Sequence, residues 1–387
     1  MLIDPSKSEQ PSQDNLSLTE NSCSQKSKPW LGRRNFFWGM GGVGLVLLGG
    51  SIAYGHYFVQ TQIAPLVENR LGDLINRPVK IGAVQAVSLH HIRFGQTEFL
   101  PTTNDRDRAS LEALEISFNP LQWLLSRKLN LNVTAIQPKA YLEQGKTGNW
   151  LLTPIDKIDP SHPIQLDRLN LEKAQVTVRA RNPQGNFKNP VSVYLDQAKL
   201  KAQNQGKQIG FQLQGNLGKG SQFKLKGSHD QSAIATNLSV QGHNLAINDI
   251  NNLLTLPIAL NQGNLDSNLD IQVRQERLTS LQGIATLRGV TTNVAVLPQP
   301  LRNIQGILRF QGTKISFDGL KADLGSIATQ TGGYVDFQKN YNLTVTTKPI
   351  VIAQVIKTFA LPKPQIALDG NIQSKIRIQG ALSRPQI

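Results

Sequence analysis

A two-residue alternation of apolar and polar side chains dominates this sequence. Leu308-Arg309-Phe310-Gln311, Ile315-Ser316-Phe317-Asp318 and Phe223-Lys224-Leu225-Lys226 each place large apolar groups at every second position. That is the period of a strand with one apolar and one polar face. Val176-Thr177-Val178, Val191 to Leu195, Leu343-Thr344-Val345 and, earlier, Leu114 to Phe118 and Leu129 to Val133 repeat it, while Gly215, Gly227, Gly242, Gly306 and Gly312 punctuate the runs. The expected fold is mainly β: antiparallel meanders of strands with one apolar and one polar face, and a few short helices. About twenty strand candidates stacked at ~4.8 Å each would extend on the order of 100 Å. Phe223, Leu225, Leu269, Ile271, Leu308, Phe310, Ile315, Phe317, Ile376 and Ile378 are the expected lining of its apolar side. No long amphipathic helix is available to cover that side, so it forms either a folded-over sandwich or an open groove available to acyl chains.

The second constraint is Phe36 to Phe58, 23 residues without Asp, Glu, Lys or Arg. A helix of that length crosses a hydrocarbon core of roughly 30 Å. Lys26, Lys28, Arg33 and Arg34 precede it with no comparable cluster just after, which places residues 1–35 in the cytoplasm and the body beyond Val59 on the far side. Trp30, Trp38, Tyr54 and Tyr57 stand near its ends, where amphipathic rings favour the interface. Gly39, Gly41 and Gly44 spell a dinucleotide fingerprint, yet no βαβ pattern surrounds them. Small residues such as Ser51 and Gly55 suit a packing face of a membrane helix instead. Arg33-Arg34 resembles a twin-arginine export signal and Ala53-Tyr54-Gly55 a weak cleavage site, but the long apolar run reads as an uncleaved signal anchor.

The net charge of +15 belongs almost wholly to the exported body, since five Lys/Arg face four Asp/Glu before Asn35. These charges are scattered along strands rather than clustered with aromatics, which argues against nucleic acid. Anionic lipid head groups, cell-wall polymers or plain solvation account for them. The single cysteine, Cys23, lies in the tail, so no disulfide staples the body.

In order, residues 1–29 have the composition of a disordered tail. Ile63, Val67, Leu71, Leu74 and Ile75 have the spacing of a short linking helix that ends at Arg77-Pro78. Asn119-Pro120 opens a helical turn through Leu125, with Asn119 as cap. Gly145-Lys146-Thr147 lacks the first glycine of a phosphate loop and reads as a turn. Pro154, Pro160 and Pro163 mark an internal boundary. The expected regions are thus the tail 1–35, the anchor 36–58, a first β region with its linking helix over 59–158, and a repetitive strand region over 159–387 that breaks off within a strand phrase at the C-terminus. An internal repeat supports the last: Gly263 to Gln272 matches Gly370 to Gln379 at five of ten positions. Each copy follows a Leu-Pro pair (Leu256-Pro257, Leu361-Pro362) and a helical pattern, Ile250 to Leu254 or Val351 to Phe359.

Taken with the anchor, several phrases resemble the N-terminal part of TamB-like and AsmA-like envelope proteins, particularly those of cyanobacteria and plastids. They are Asn76 to Gly82, Ile92 to Gly95, Phe118 to Leu121, Pro138 to Leu142, the Gly148-Asn149-Trp150 turn, Leu301 to Gly306, Ala322 to Gly325 and Gly380 to Ile387. The resemblance implies an elongated, curved antiparallel β-sheet with an apolar inner face, an AsmA-like first β region, a periplasmic body anchored in the plasma membrane, and a role in lipid transport between membranes, in outer-membrane protein assembly and secretion, or both. It also implies an outer-membrane barrel partner, met through a C-terminal part that this chain lacks. The alternative is a periplasmic β-sandwich that tethers a protein or cell-wall partner.

No catalytic, cofactor or metal site is expected, bound phospholipid apart. His90-His91 would face opposite ways on a strand, and His229-Asp230 sits in an expected turn without a nucleophile motif. The remaining histidines, His56, His162 and His243, fall in no cluster with ligand spacing.

Overall fold

A computed structural model describes residues 78–381, apart from 151–163, 255–259 and shorter breaks at 89, 104, 147, 149, 205–206, 219, 276, 295–296, 363–364 and 367–368. All of these residues fall in one compact unit. The expected tail 1–35, the anchor 36–58 with Lys26, Lys28, Arg33 and Arg34, the linking helix and the Pro-rich boundary lie outside the described residues. Among the described residues, no helix is long and apolar enough to cross a membrane.

The chain is mainly β, built on one long curved sheet. Its first eight strands are the halves of four bent ones: β1 (Val79–Lys80) with β2 (Val84–Ser88), β3 (His91–Phe94) with β4 (Thr97–Phe99), β5 (Arg108–Leu111) with β6 (Ala113–Phe118), and β7 (Leu129–Ile136) with β8 (Lys139–Glu143). One arm pairs β2, β3, β6 and β7 in that order, and the other pairs β1, β4, β5 and β8. The bends fall at Gly82, Gly95-Gln96, Glu112 and Gln137-Pro138. At Gly82 a Cβ would sit 2.4 Å from the Gln96 carbonyl oxygen, so only glycine lets the two backbones approach. Folding each strand over itself encloses Ile92, Phe94, Leu111, Leu114, Ile116 and Val133 in a dry core. Between β6 and β7, helix α1 (Pro120–Ser126) starts as its sequence dictates: Asn119 Oδ1 accepts from the Leu121 and Gln122 N–H groups at 3.1 and 3.3 Å, and Pro120 takes the first position.

Strand β9 (Ile164–Arg179) joins both arms, lying parallel to β7 over Ile164–Glu172 and to β8 over Gln175–Arg179. The sheet is therefore mixed, which corrects the antiparallel expectation. A parallel neighbour needs a crossover of a dozen or more residues, and the long stretch between β8 and β9 supplies it.

From β9 onward the meander is antiparallel, each strand pairing with the next: β10 (Val191–Gln203), β11 (Gln208–Leu217), β12 (Gln222–Asp230), β13 (Ala235–Ala246), β14 (Leu260–Arg274), β15 (Arg277–Thr292), β16 (Leu301–Gln311), β17 (Lys314–Leu324), β18 (Ile327–Asp336) and β19 (Asn340–Thr347). Helix α2 (Ile247–Leu253) sits between β13 and β14. After β19 come the two-residue strand β20 (Ile350–Val351), helix α3 (Ile352–Thr358), β21 (Asn371–Ile372) and β22 (Lys375–Ala381). β20 and β21 pair with each other, and β22 returns to β19. Because the first eight strands share four rows, the sheet has sixteen rows rather than twenty among the described residues. At ~4.8 Å per step that is about 70 Å across the sheet, shorter than expected.

The structure also explains the sequence repeat. Leu245 pairs with Leu265 and Ala246 with Asn264 just before α2, and Ile350 pairs with Ile372 and Val351 with Asn371 just before α3. Val240 opposite Leu269 corresponds to Val345 opposite Ile376. The repeated unit is strand, seven-residue helix, returning strand, in one register.

Phe94 is fully enclosed, whereas Ile378 on β22 is 45% exposed. Phe94→Ala should destabilise the chain by about 3–5 kcal/mol. Ile378→Ala should cost under about 0.5 kcal/mol, as at other surface positions. Denaturant midpoints of the two variants against the parent check the difference.

Candidate functional site

The pairing registers place the expected lining residues together. Leu213 stands opposite Leu225, Leu225 opposite Val240, Val240 opposite Leu269, and Leu238 opposite Ile271. Leu308 faces Phe317 and Phe310 faces Ile315, while Leu343 and Val345 face Ile378 and Ile376. Phe223 lies on the same side, opposite Gly215 and Gly242. All ten expected residues thus share one face of the sheet. Phe211, Leu238, Val273, Leu281, Val335 and Tyr341 join them there, and the same alternation in the sequence marks all six.

This face is continuous with the enclosed core of the bent strands. Leu171 packs in both that core and the cluster of Ala174, Leu195 and Ala198. Val193 and Phe223 link this cluster to Val191, Leu217 and Leu245, and Leu265 links those to Ile247, Leu287, Val290 and Ile304. Side chains are dry at the β3–β6 end and under α2. Elsewhere Phe223, Leu225, Leu269, Ile271, Leu308, Phe310, Ile315 and Phe317 are only half-buried. Each large apolar side chain kept wet forgoes roughly 1.5–3 kcal/mol relative to full burial. A wall of them favours an apolar occupant.

A line of β-bulges crosses the strands of the sheet. In β10, β13, β15, β16 and β17 the register shifts as the apolar spacing slips from two to three: Leu195 to Ala198, Gly242 to Leu245, Leu287 to Val290, Leu301 to Ile304 and Phe317 to Leu320. β9 makes the same slip, Leu171 to Ala174, while staying in register with β10. Lys173, Asn244 and Asn303 take positive φ near 52° at these points, and Gly289 and Gly319 do so at 60° and 61°. The extra residue keeps the apolar face in phase and bends the strand. Asp266 holds one bulge by accepting from the Asn244 N–H at 2.7 Å, and it pairs with Arg288 and with His243 on the polar face.

Glycines facing the apolar side let the strands come close. Gly283 and Gly333 both have φ of 119°, and a Cβ at either would sit 2.1 Å from a neighbouring carbonyl oxygen, that of Asn268 or of Asn342. Gly215, Gly227, Gly242 and Gly306 likewise lie inside strands. Of the five expected punctuation points, only Gly312 is at a turn.

The opposite face is polar. Arg168, Lys199, Lys201 and Lys226 surround a shallow depression there with Asn170, Glu172 and Gln212. At the helix side, Lys188 Nζ donates to the Asn251 and Leu254 carbonyls at 2.9 Å, tying down the end of α2, and burial pushes its amine below the usual lysine range. Burial also pushes the Asp249 carboxyl in α2 up. At the opposite rim, Gln338 N–H and Thr313 Oγ1 donate to Asp336 Oδ1 at 3.0 and 2.9 Å, joining two hairpin turns. The Gln338 N–H first, and the Thr313 hydroxyl second, hold that carboxyl below the usual carboxylate range.

His229 and Asp230 are the last residues of β12, not a turn as expected. His229 Nδ1 contacts Thr236 Oγ1 at 2.9 Å, and Asp230 Oδ1 accepts from Ser232 and Ala233 to shape the turn that follows. His90 precedes β3 and His91 begins it. Among the described residues, no three His, Cys, Asp or Glu side chains converge as a metal site would require. Gly148 N–H donates to the Gly145 carbonyl at 3.1 Å in the turn after β8.

Comparison with protein-family models finds no match, and comparison with curated proteins finds none either.

Asp336 offers a pH test. A carboxyl with a depressed folded-state pKa contributes stability that is full above its ordinary value of 3.8 and is lost as pH falls through the lower folded value. Asp336→Asn should therefore lower stability at neutral pH and flatten its loss on acidification, read from denaturant midpoints across an acid pH series.

Proposed function

We propose that this chain is a non-catalytic, membrane-anchored envelope protein whose apolar face forms an open groove for the acyl chains of lipids in transit between membranes. The carrying observation is a single apolar face shared by twelve consecutive rows from β9 to β22, half-buried over much of its area. Phe36 to Phe58 supplies the anchor in this reading, with the body on the periplasmic side. The resemblance to TamB-like and AsmA-like proteins supports it and extends it to outer-membrane protein assembly and secretion with a barrel partner. The packed core around Phe94 makes the β3–β6 end of the groove blind, so lipid enters along its open side.

A second reading, a binding module that tethers an anionic partner, is favoured by the cations grouped on the polar face, Arg168, Lys199, Lys201 and Lys226. Retention of the chain by such a partner would fall steeply with salt, whereas acyl-chain binding would not.

Site-specific photocrosslinking in cells grown on radiolabelled phosphate separates the two. With a photoreactive phenylalanine at Leu225 or Phe317 of the full chain, labelled lipid should attach; at Lys226 or Ser316, one residue along on the polar face, it should not. Equal labelling of both faces, or none on the apolar one, would sink the groove.

A further inference from the structure

Helix α1 leaves its apolar residues outside the fold. Phe118, which ends β6, and Leu131, near the start of β7, pack against the core around Phe94. Between them Leu121 and Leu125 are 69% and 86% exposed, and Leu125 is the most exposed large apolar side chain among the described residues. Residues four apart lie one above the other on a helix, so the two form a single apolar patch. The exposure does not come from a chain end. α1 is held on both sides by strands that pair with each other, Phe118 opposite Leu131 and Ser117 opposite Asn132. The Asn119 cap presents the patch on a formed helical turn.

The charge around this patch has one sign. Arg127 and Lys128 follow the helix and are exposed, Arg127 at a φ of 56° just past the last helical residue. No Asp or Glu occurs between Glu115 and Glu143. Ile164 lies beside Leu129 and Arg168 stands opposite Lys201, so the turn from β10 to β11 is on the same edge of the sheet and adds the exposed Lys207. An apolar helical face bordered by Arg and Lys matches a bilayer interface with anionic head groups: leucines enter the acyl boundary while cations meet phosphates. A bilayer is also within reach. Nineteen residues, 59–77, separate the described body from the apolar run Phe36 to Phe58. Fully extended, such a length spans at most about 70 Å.

We propose that α1 is a membrane-docking tip. Leu121 and Leu125 insert into the near leaflet of the bilayer that holds the anchor, and Arg127 and Lys128 bind the phosphates of its anionic lipids. This rests on the membrane-anchored reading of the chain but not on the groove, because α1 belongs to neither face of the sheet.

The test uses the full chain with Cys23→Ser and a polarity-sensitive fluorophore on Leu125→Cys or, as a solvated control on β17, on Asp318→Cys. Each is reconstituted into phosphatidylcholine vesicles with or without phosphatidylglycerol. Both positions are exposed, so neither substitution should move the denaturant midpoint. With phosphatidylglycerol, the Leu125→Cys fluorophore should shift to the blue and resist iodide severalfold better than the one on Asp318→Cys. Lipid spin-labelled near the top of the acyl chain should quench it more than lipid labelled near the chain's end, because an interfacial helix sits only about 5–10 Å deep. Omitting phosphatidylglycerol, or adding Arg127→Glu with Lys128→Glu, should return the fluorophore to water. Equal iodide access at the two positions would overturn the proposal. So would protection from iodide without quenching by lipid, which would put another part of this chain or a second copy on the patch. Lipid quenching indifferent to phosphatidylglycerol and to the charge reversals would overturn it too. Flotation with the vesicles reads the anchoring separately, and lipid crosslinking at Leu225 reads the groove. A chain that floats with a solvated Leu125→Cys fluorophore fails here alone, and one that does not float loses both readings.

Discussion

Phase is the constraint on which the structure rests. In a strand the side chains alternate strictly, so a slip of one residue sends a whole apolar set to the wrong side. Here the apolar sets of twelve neighbouring rows, from β9 to β22, are held on one side without inversion. Backbone pairing supplies the connection, and the apolar face supplies the penalty for misregister. Five bulges, in β10, β13, β15, β16 and β17, correct the phase where the apolar spacing slips from two to three. The polar groups around them serve that correction, as when Asp266 holds Asn244 and when Asn303 Nδ2 donates to Asp323 Oδ2 at 2.8 Å.

The same sheet solves its burial problem in two ways. At the β3–β6 end the strands fold over themselves at Gly82, Glu112 and Gln137-Pro138, and Phe94 and Ile92 become fully enclosed. Under α2, a seven-residue helix seats Ile247 on Val290 and Ile304 and leaves the wall dry there. Between and beyond these covers, Phe310, Ile315 and Leu225 stay half-buried. That exposure forgoes burial, which the backbone pairing of the long strands offsets in part. The proposed groove is the functional use of a face that the fold leaves incompletely covered.

Much of this was legible in the sequence. Period-two alternation put the ten named apolar residues on one face, and Asn119-Pro120 marked the start of α1. The match between Gly263 to Gln272 and Gly370 to Gln379 located a repeat whose pairing register the structure reproduces. Other features carried weaker signals. Mid-strand glycines such as Gly215 and Gly306 look like turn residues in a sequence, because the need for close backbone approach inside a strand leaves the same mark as a tight turn. His229-Asp230 misled for a related reason: Asp230 shapes the turn after β12 while still within the strand.

The sequence by itself determined the strand-rich class, the face to which the alternating apolar side chains belong and where three short helices interrupt the strands, since these follow from local periodicity and, for α1, from the Asn119 cap. Tertiary structure alone decided that eight early segments are four bent strands, that β9 lies parallel to β7 and β8, and which parts of the apolar face are covered. The physical reason is range. A side chain's direction along a strand is set by its immediate neighbours, whereas the partner of a strand's edge and the cover over its face come from residues far away in the chain.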